Sequence, residues 1–172
     1  MRFFLAAPIL AAAAALVPAP AMAAPAPRLP EASFAALPQP LPLPYDEAAD
    51  AHKDVAAAIA RAKKAHKLVI VDLGGNWCPD CRILAATMAL PSLNPWLKKH
   101  YELVTVDVGR YTKNLDIGAT YGVTRPKGVP ALFVVDPRTN KLLNPTTSVT
   151  ALSDARSMTP QALADWLAQW TK

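Results

Sequence analysis

Residues 74 to 82 read Gly74-Gly75-Asn76-Trp77-Cys78-Pro79-Asp80-Cys81-Arg82 and contain both cysteines of the 172-residue chain, with two residues between them. The preceding run, Leu68-Val69-Ile70-Val71-Asp72-Leu73, is apolar, β-branched and of strand length, and the following run, Arg82 to Met88, is helix-prone. The cysteine pair is therefore expected at a strand-to-helix corner. Unpaired N–H groups and the positive end of the helix dipole at such a corner favour a thiolate over a thiol. Cys78 is expected to be the nucleophile. Cys81, one turn inside the helix and on the same side, is expected to attack any mixed disulfide formed there.

Two other uses of the pair compete with this one. A tetrahedral metal centre needs about four ligands, and His52, His66 and His100 show no ligand spacing to the cysteines. A structural disulfide between these two positions would close so small a loop that it would constrain the unfolded chain little. Redox work is the favoured use, with no metal, and with the Cys78-Cys81 pair in place of any cofactor.

Upstream, Arg2, the apolar run Phe3 to Val17 and the small residues Ala21-Met22-Ala23 form the pattern of a secretory signal with a cut after Ala23. Residues 1–23 are expected to be this leader, 24–45 a linker and 46–172 one domain. Export would make the protein periplasmic or secreted and place its thiols in a disulfide-permissive compartment. Nothing downstream approaches the roughly 20 apolar residues of a membrane span. Nine of the eighteen prolines fall between Pro18 and Pro44, so the linker is expected to be a spacer or an arm on the domain surface. The net charge is +5, of which a cleaved leader removes only Arg2, and this does not suggest nucleic acid.

From Asp46, apolar residues recur at helical spacing as far as Ala62, with Lys63, Lys64 and Lys67 at the C-terminal end. Asn94-Pro95-Trp96-Leu97 predicts a short helix after a break near Pro91. Tyr101 to Val108 reads as a strand, Leu115 to Tyr121 as a short helix, and Ala131 to Val135 with Lys141 to Asn144 as a hairpin. Thr159-Pro160 caps a last helix whose Leu163, Trp166, Leu167 and Trp170 form a core stripe. The sum is α/β, a mixed sheet flanked by helices.

From about Asp46 to the C-terminus these residues resemble the thioredoxin superfamily, and within it exported bacterial thioredoxin-like proteins. The resemblance rests on Asp72 six residues ahead of Cys78, on Trp77-Cys78-Pro79-Asp80-Cys81, on Tyr121-Gly122-Val123, and on Gly128-Val129-Pro130 leading into an apolar strand. The run from Val106 to Tyr111 adds to it. The sequence departs from ordinary thioredoxins in having Pro79-Asp80 where they have glycine-proline, and in lacking the family lysine on the strand starting at Tyr101.

By its position alone Asp72 could be a polar residue at a strand edge. The resemblance implies a buried acid that exchanges a proton with Cys81. Pro130 could equally be a turn proline, and the resemblance implies a cis bond that leaves Val129 free to pair with a substrate strand. Trp77 is expected half-exposed as an apolar platform, with Pro79 and Asp80 beside it in the substrate-binding surface. Asp80 is expected to be exposed and to oppose the Cys78 thiolate only weakly through solvent. The implied activity is thiol-disulfide exchange with partner proteins. The Asp80 carboxylate in the first helical turn opposes a neighbouring thiolate and favours a reductant or isomerase-like role, and an exported reductant would need electrons from a membrane thiol relay. The alternatives are a disulfide-forming oxidant and a non-catalytic peptide-binding module of the same fold.

Overall fold

The computed structural model describes residues 23–171. The leader expected at residues 1–23 lies, apart from Ala23, outside them. Helix α1 (Ala51–Ala65) precedes strand β1 (Leu68–Gly74), which runs into α2 (Pro79–Met88). Then come α3 (Asn94–His100), β2 (Tyr101–Asp107), α4 (Leu115–Ala119), β3 (Ala131–Asp136), β4 (Lys141–Leu142) and α5 (Pro160–Ala168). The strand order is β2-β1-β3-β4, with β1 parallel to β2 and antiparallel to β3. Helix α1 starts later than the periodicity from Asp46 suggests, because the Asp50 carboxylate accepts a bond from Lys53 N and caps it there.

Strand β1 is a near-continuous apolar run because it is central and covered on both faces. Val69, Val71 and Leu73 face α1 and α4, in one core cluster with Phe133 and Val135. Ile70 points the other way, into a cluster with Leu84 of α2, Leu97 of α3 and Leu163 and Leu167 of α5. Phe133, Ile70 and Leu84 are fully buried, each contributing about 1.5–3 kcal/mol of transfer free energy. By strand alternation Asp72 falls on the face of Ile70, beneath α2. Among the described residues no helix is long and apolar enough to cross a membrane.

Of the two arrangements expected for the proline-rich segment, it takes the surface arm. Leu37 is buried in the second cluster, where Leu29, Phe34 and Leu41 pack against it. Prolines cannot donate, so the arm is held largely through its carbonyls and a few remaining N–H groups. Arg82 of α2 donates to the Leu41 and Pro42 carbonyls at 2.7 and 3.1 Å, and Gln161 of α5 accepts from Leu29 N at 2.9 Å.

Candidate active site

The β1-to-α2 corner makes Cys78 the N-cap of α2, with Pro79 in the first turn, where its missing N–H costs nothing. Cys78 Sγ accepts from Cys81 N at 3.2 Å and lies 3.3 Å from the Val129 carbonyl, to which its thiol can donate. Both thiols are free and buried, Cys78 at 4% exposure and Cys81 at 0%. The Cys78 pKa is lowered from 9.0 to about 7, chiefly by a hydrogen bond from the Cys81 thiol; burial and the Asp80 charge oppose the shift. Cys81 is pushed far the other way by its bond to Cys78, by burial and by the Asp72 charge. The pair thus divides into one thiol that ionises near neutrality and one that holds its proton.

Asp72 is fully buried, and burial raises its pKa from 3.8 to about 7, against the opposing effect of a hydrogen bond from Tyr45. That tyrosine ends the proline-rich arm. Its hydroxyl lies 3.1 and 3.0 Å from the two Asp72 oxygens. Its backbone is clamped by Asn76, whose side chain accepts from Tyr45 N at 3.1 Å and donates to Tyr45 O at 2.8 Å. Gly74 forms the floor below: a Cβ there would overlap the Tyr45 hydroxyl and come within 2.9 Å of Cys81 Sγ. The Val129–Pro130 bond is cis, and Val129 is buried with its carbonyl toward Cys78.

The expected exposure of Asp80 is corrected: it is 2% exposed. Arg156 covers it, donating from Nη2 to Oδ2 at 2.7 Å, from Nε to Oδ1 at 3.2 Å and from its backbone N to Oδ1 at 2.9 Å. Arg156 lies in a 3-10 turn, Ala155–Ser157, that packs on α2. Asp80 is therefore a paired carboxylate in the wall of the site, whereas Pro79 beside it is exposed.

Trp77 is 37% exposed, with Nε1 donating to the Gly109 carbonyl at 2.5 Å. The Arg110 guanidinium stands 5.1 Å from its ring, the Tyr111 ring lies 6.0 Å away, and Arg125 sits 5.4 Å over Tyr111. The two rings thus carry a guanidinium at each end, beside Cys78. Among the described residues no group of three or more His, Cys, Asp or Glu side chains is placed to hold a metal ion.

Two contributors to the site have no role in the sequence reading. Arg156 lies 76 positions from Asp80, and no local pattern marks it. Tyr45 sits in a proline run without periodicity; its one signal is that it is the last aromatic before α1.

A cysteine pair at a strand-to-helix corner, over a buried acid and beside a cis-proline, is the site of a thiol-disulfide oxidoreductase. The chain belongs to the thioredoxin-like family, whose model matches residues 50–137. A disulphide isomerase from Xylella fastidiosa Temecula1 is 38% identical, over 75% of this chain and 97% of that one, at a TM-score of 0.69. The oxidised C-terminal domain of DsbD from Neisseria meningitidis is 21% identical over 71% of this chain and 97% of that one, at a TM-score of 0.46. No curated protein matches.

Proposed function

We propose that the protein is an exported reductant or isomerase of protein disulfides. The Cys78 thiolate attacks a substrate disulfide, forming a mixed disulfide and releasing one substrate sulfur as a thiolate. Cys81 then gives its proton to the Asp72 carboxylate and attacks Cys78 Sγ. The Cys78–Cys81 bond forms, the bond to substrate breaks, and the second substrate sulfur leaves as a thiolate. Two electrons pass from the pair to the substrate, and a thiol relay in the membrane would return them. Val129 and Pro130 offer backbone to an extended substrate segment, and Trp77 with Pro79 offers apolar surface.

The observation that carries the direction is the Asp80 carboxylate in the first turn of α2, whose charge opposes the Cys78 thiolate. A strongly oxidising pair instead stabilises its thiolate, so a charge that opposes it favours the reducing side. The 38% identical Xylella protein being a disulphide isomerase supports the same side. Equilibration with a glutathione buffer tests the direction. A reduction potential at or below about −180 mV fits a reductant or isomerase, and one near −120 mV would make the protein an oxidant.

Export rests on the residue pattern of positions 1–23. Expression of the full chain in a bacterium, followed by N-terminal sequencing of the periplasmic fraction, is expected to yield a chain beginning at Ala24. Full-length protein retained in the cytoplasm would refute this.

A further inference from the structure

We propose that Tyr45 is a positioning residue for proton transfer, so that the proline-rich arm completes the active site by placing one hydroxyl against Asp72. The inference rests on Cys81 being the resolving thiol. Tyr45 is 3% exposed, although it follows Pro42, Leu43 and Pro44 in an arm whose Leu43 is 65% exposed. Its hydroxyl meets both Asp72 oxygens, and it shares the floor at Gly74 with Cys81 Sγ: a Cβ there would overlap the hydroxyl and come within 2.9 Å of the sulfur. The ring is held from outside by the two Asn76 bonds to its backbone and by a bond from Thr105 Oγ1 to the Pro44 carbonyl at 2.9 Å. Packing alone would not require the hydroxyl to end on a buried carboxylate.

The groups around Asp72 are few. Tyr45 faces it from the arm, and Cys78 and Cys81 act on it from α2. Its register partners, Thr105 on β2 and Leu132 on β3, do not ionise in the relevant range. A hydroxyl that donates to the carboxylate favours the charged form, the form able to accept the Cys81 proton. Without it Asp72 would stay protonated to higher pH and would fail as a base near neutrality. Tyr45 keeps its own proton, because burial and the Asp72 charge push its ionisation far upward. It therefore orients the transfer and leaves the proton accounting unchanged: one proton moves from Cys81 Sγ to an Asp72 oxygen.

The test follows formation and resolution of a mixed disulfide separately, by rapid acid quench and mass measurement, between pH 5.5 and 9. The probe is a disulfide-bonded peptide and the protein is the mature chain, as parent and as Tyr45→Phe. Formation is expected to be unchanged, while the midpoint of resolution against pH rises by about one unit, a roughly tenfold slowing below the midpoint. Asn76→Ala, which frees the arm without touching the ring, should move the midpoint the same way by less. If Tyr45→Phe is too unstable to assay, a midpoint that stays put in Asn76→Ala overturns the proposal. So does a parallel fall in both rates at every pH, which is the mark of a structural role. If the parent protein forms no mixed disulfide through Cys78, the exchange mechanism itself fails, and this inference with it.

Discussion

Arg156 Nη2 lies 2.7 Å from Asp80 Oδ2, and the pair is lopsided: the Asp80 side chain is 3% exposed and the Arg156 side chain 61%. The carboxylate sits in the first turn of α2, where its charge raises the Cys78 pKa, and the guanidinium is its counterion. Substitution on the two sides should therefore act in opposite directions. Asp80→Asn removes the negative charge, leaves the cation, and should lower the Cys78 pKa by about one unit, making the pair more oxidising. Arg156→Gln strands a buried carboxylate, should raise the Cys78 pKa and should lower stability. Thiolate absorbance titrated in both variants reads the signs. Shifts in the same direction would contradict the assigned electrostatics.

Asp72 ties stability to pH. Its pKa is higher in the fold, about 7, than its ordinary value of 3.8. The folded protein thus binds this proton more tightly than the unfolded chain, so the contribution of Asp72 to stability is fully present below about pH 4, is lost as pH rises to about 7, and is level above. Asp72→Asn keeps an acceptor for the Tyr45 hydroxyl and removes the titration. It should be the more stable protein above pH 7 and lose that advantage near pH 4, as urea unfolding at several pH values would report. Turnover should be slower, with the reduction potential little changed. A large change in potential at unaltered rate would remove Asp72 from proton transfer.

Trp77 with Arg110 and Tyr111 forms the exposed rim beside Cys78. Trp77→Ala should weaken use of a protein disulfide about tenfold in kcat/KM, through KM, while reduction of a small disulfide such as oxidised glutathione changes little. Equal losses on both substrates would show that Trp77 supports the cysteines rather than the substrate.

Much of this arrangement is legible in the sequence because its parts are local. The strand, the corner and the helix that place Cys78 and Cys81 are contiguous, and the apolar run around Asp72 marks an acid in a costly place. Asp80 reads as exposed because its cover comes from Arg156, in a turn for which the sequence offers no periodic signal. Tyr45 is hidden for a related reason. Proline-rich segments lack the repeat by which a buried face declares itself, and here Tyr45 reaches the acid beneath the cysteines from the end of the arm, fixed by Asn76 from the loop after β1. The family lysine is missing from β2, but an absence on one strand does not say that a hydroxyl arrives from an arm.

The division of labour between the two thiols is tested most directly by trapping. Cys81→Ser and Cys78→Ser variants would be mixed with a disulfide-bonded protein, quenched with acid, and analysed by mass spectrometry without reductant. Cys81→Ser is expected to accumulate a mixed disulfide through Cys78, since attack proceeds and resolution cannot, while Cys78→Ser accumulates none. A mixed disulfide that builds up on Cys81 in Cys78→Ser, with none on Cys78 in Cys81→Ser, would contradict the assignment of nucleophile and resolving thiol.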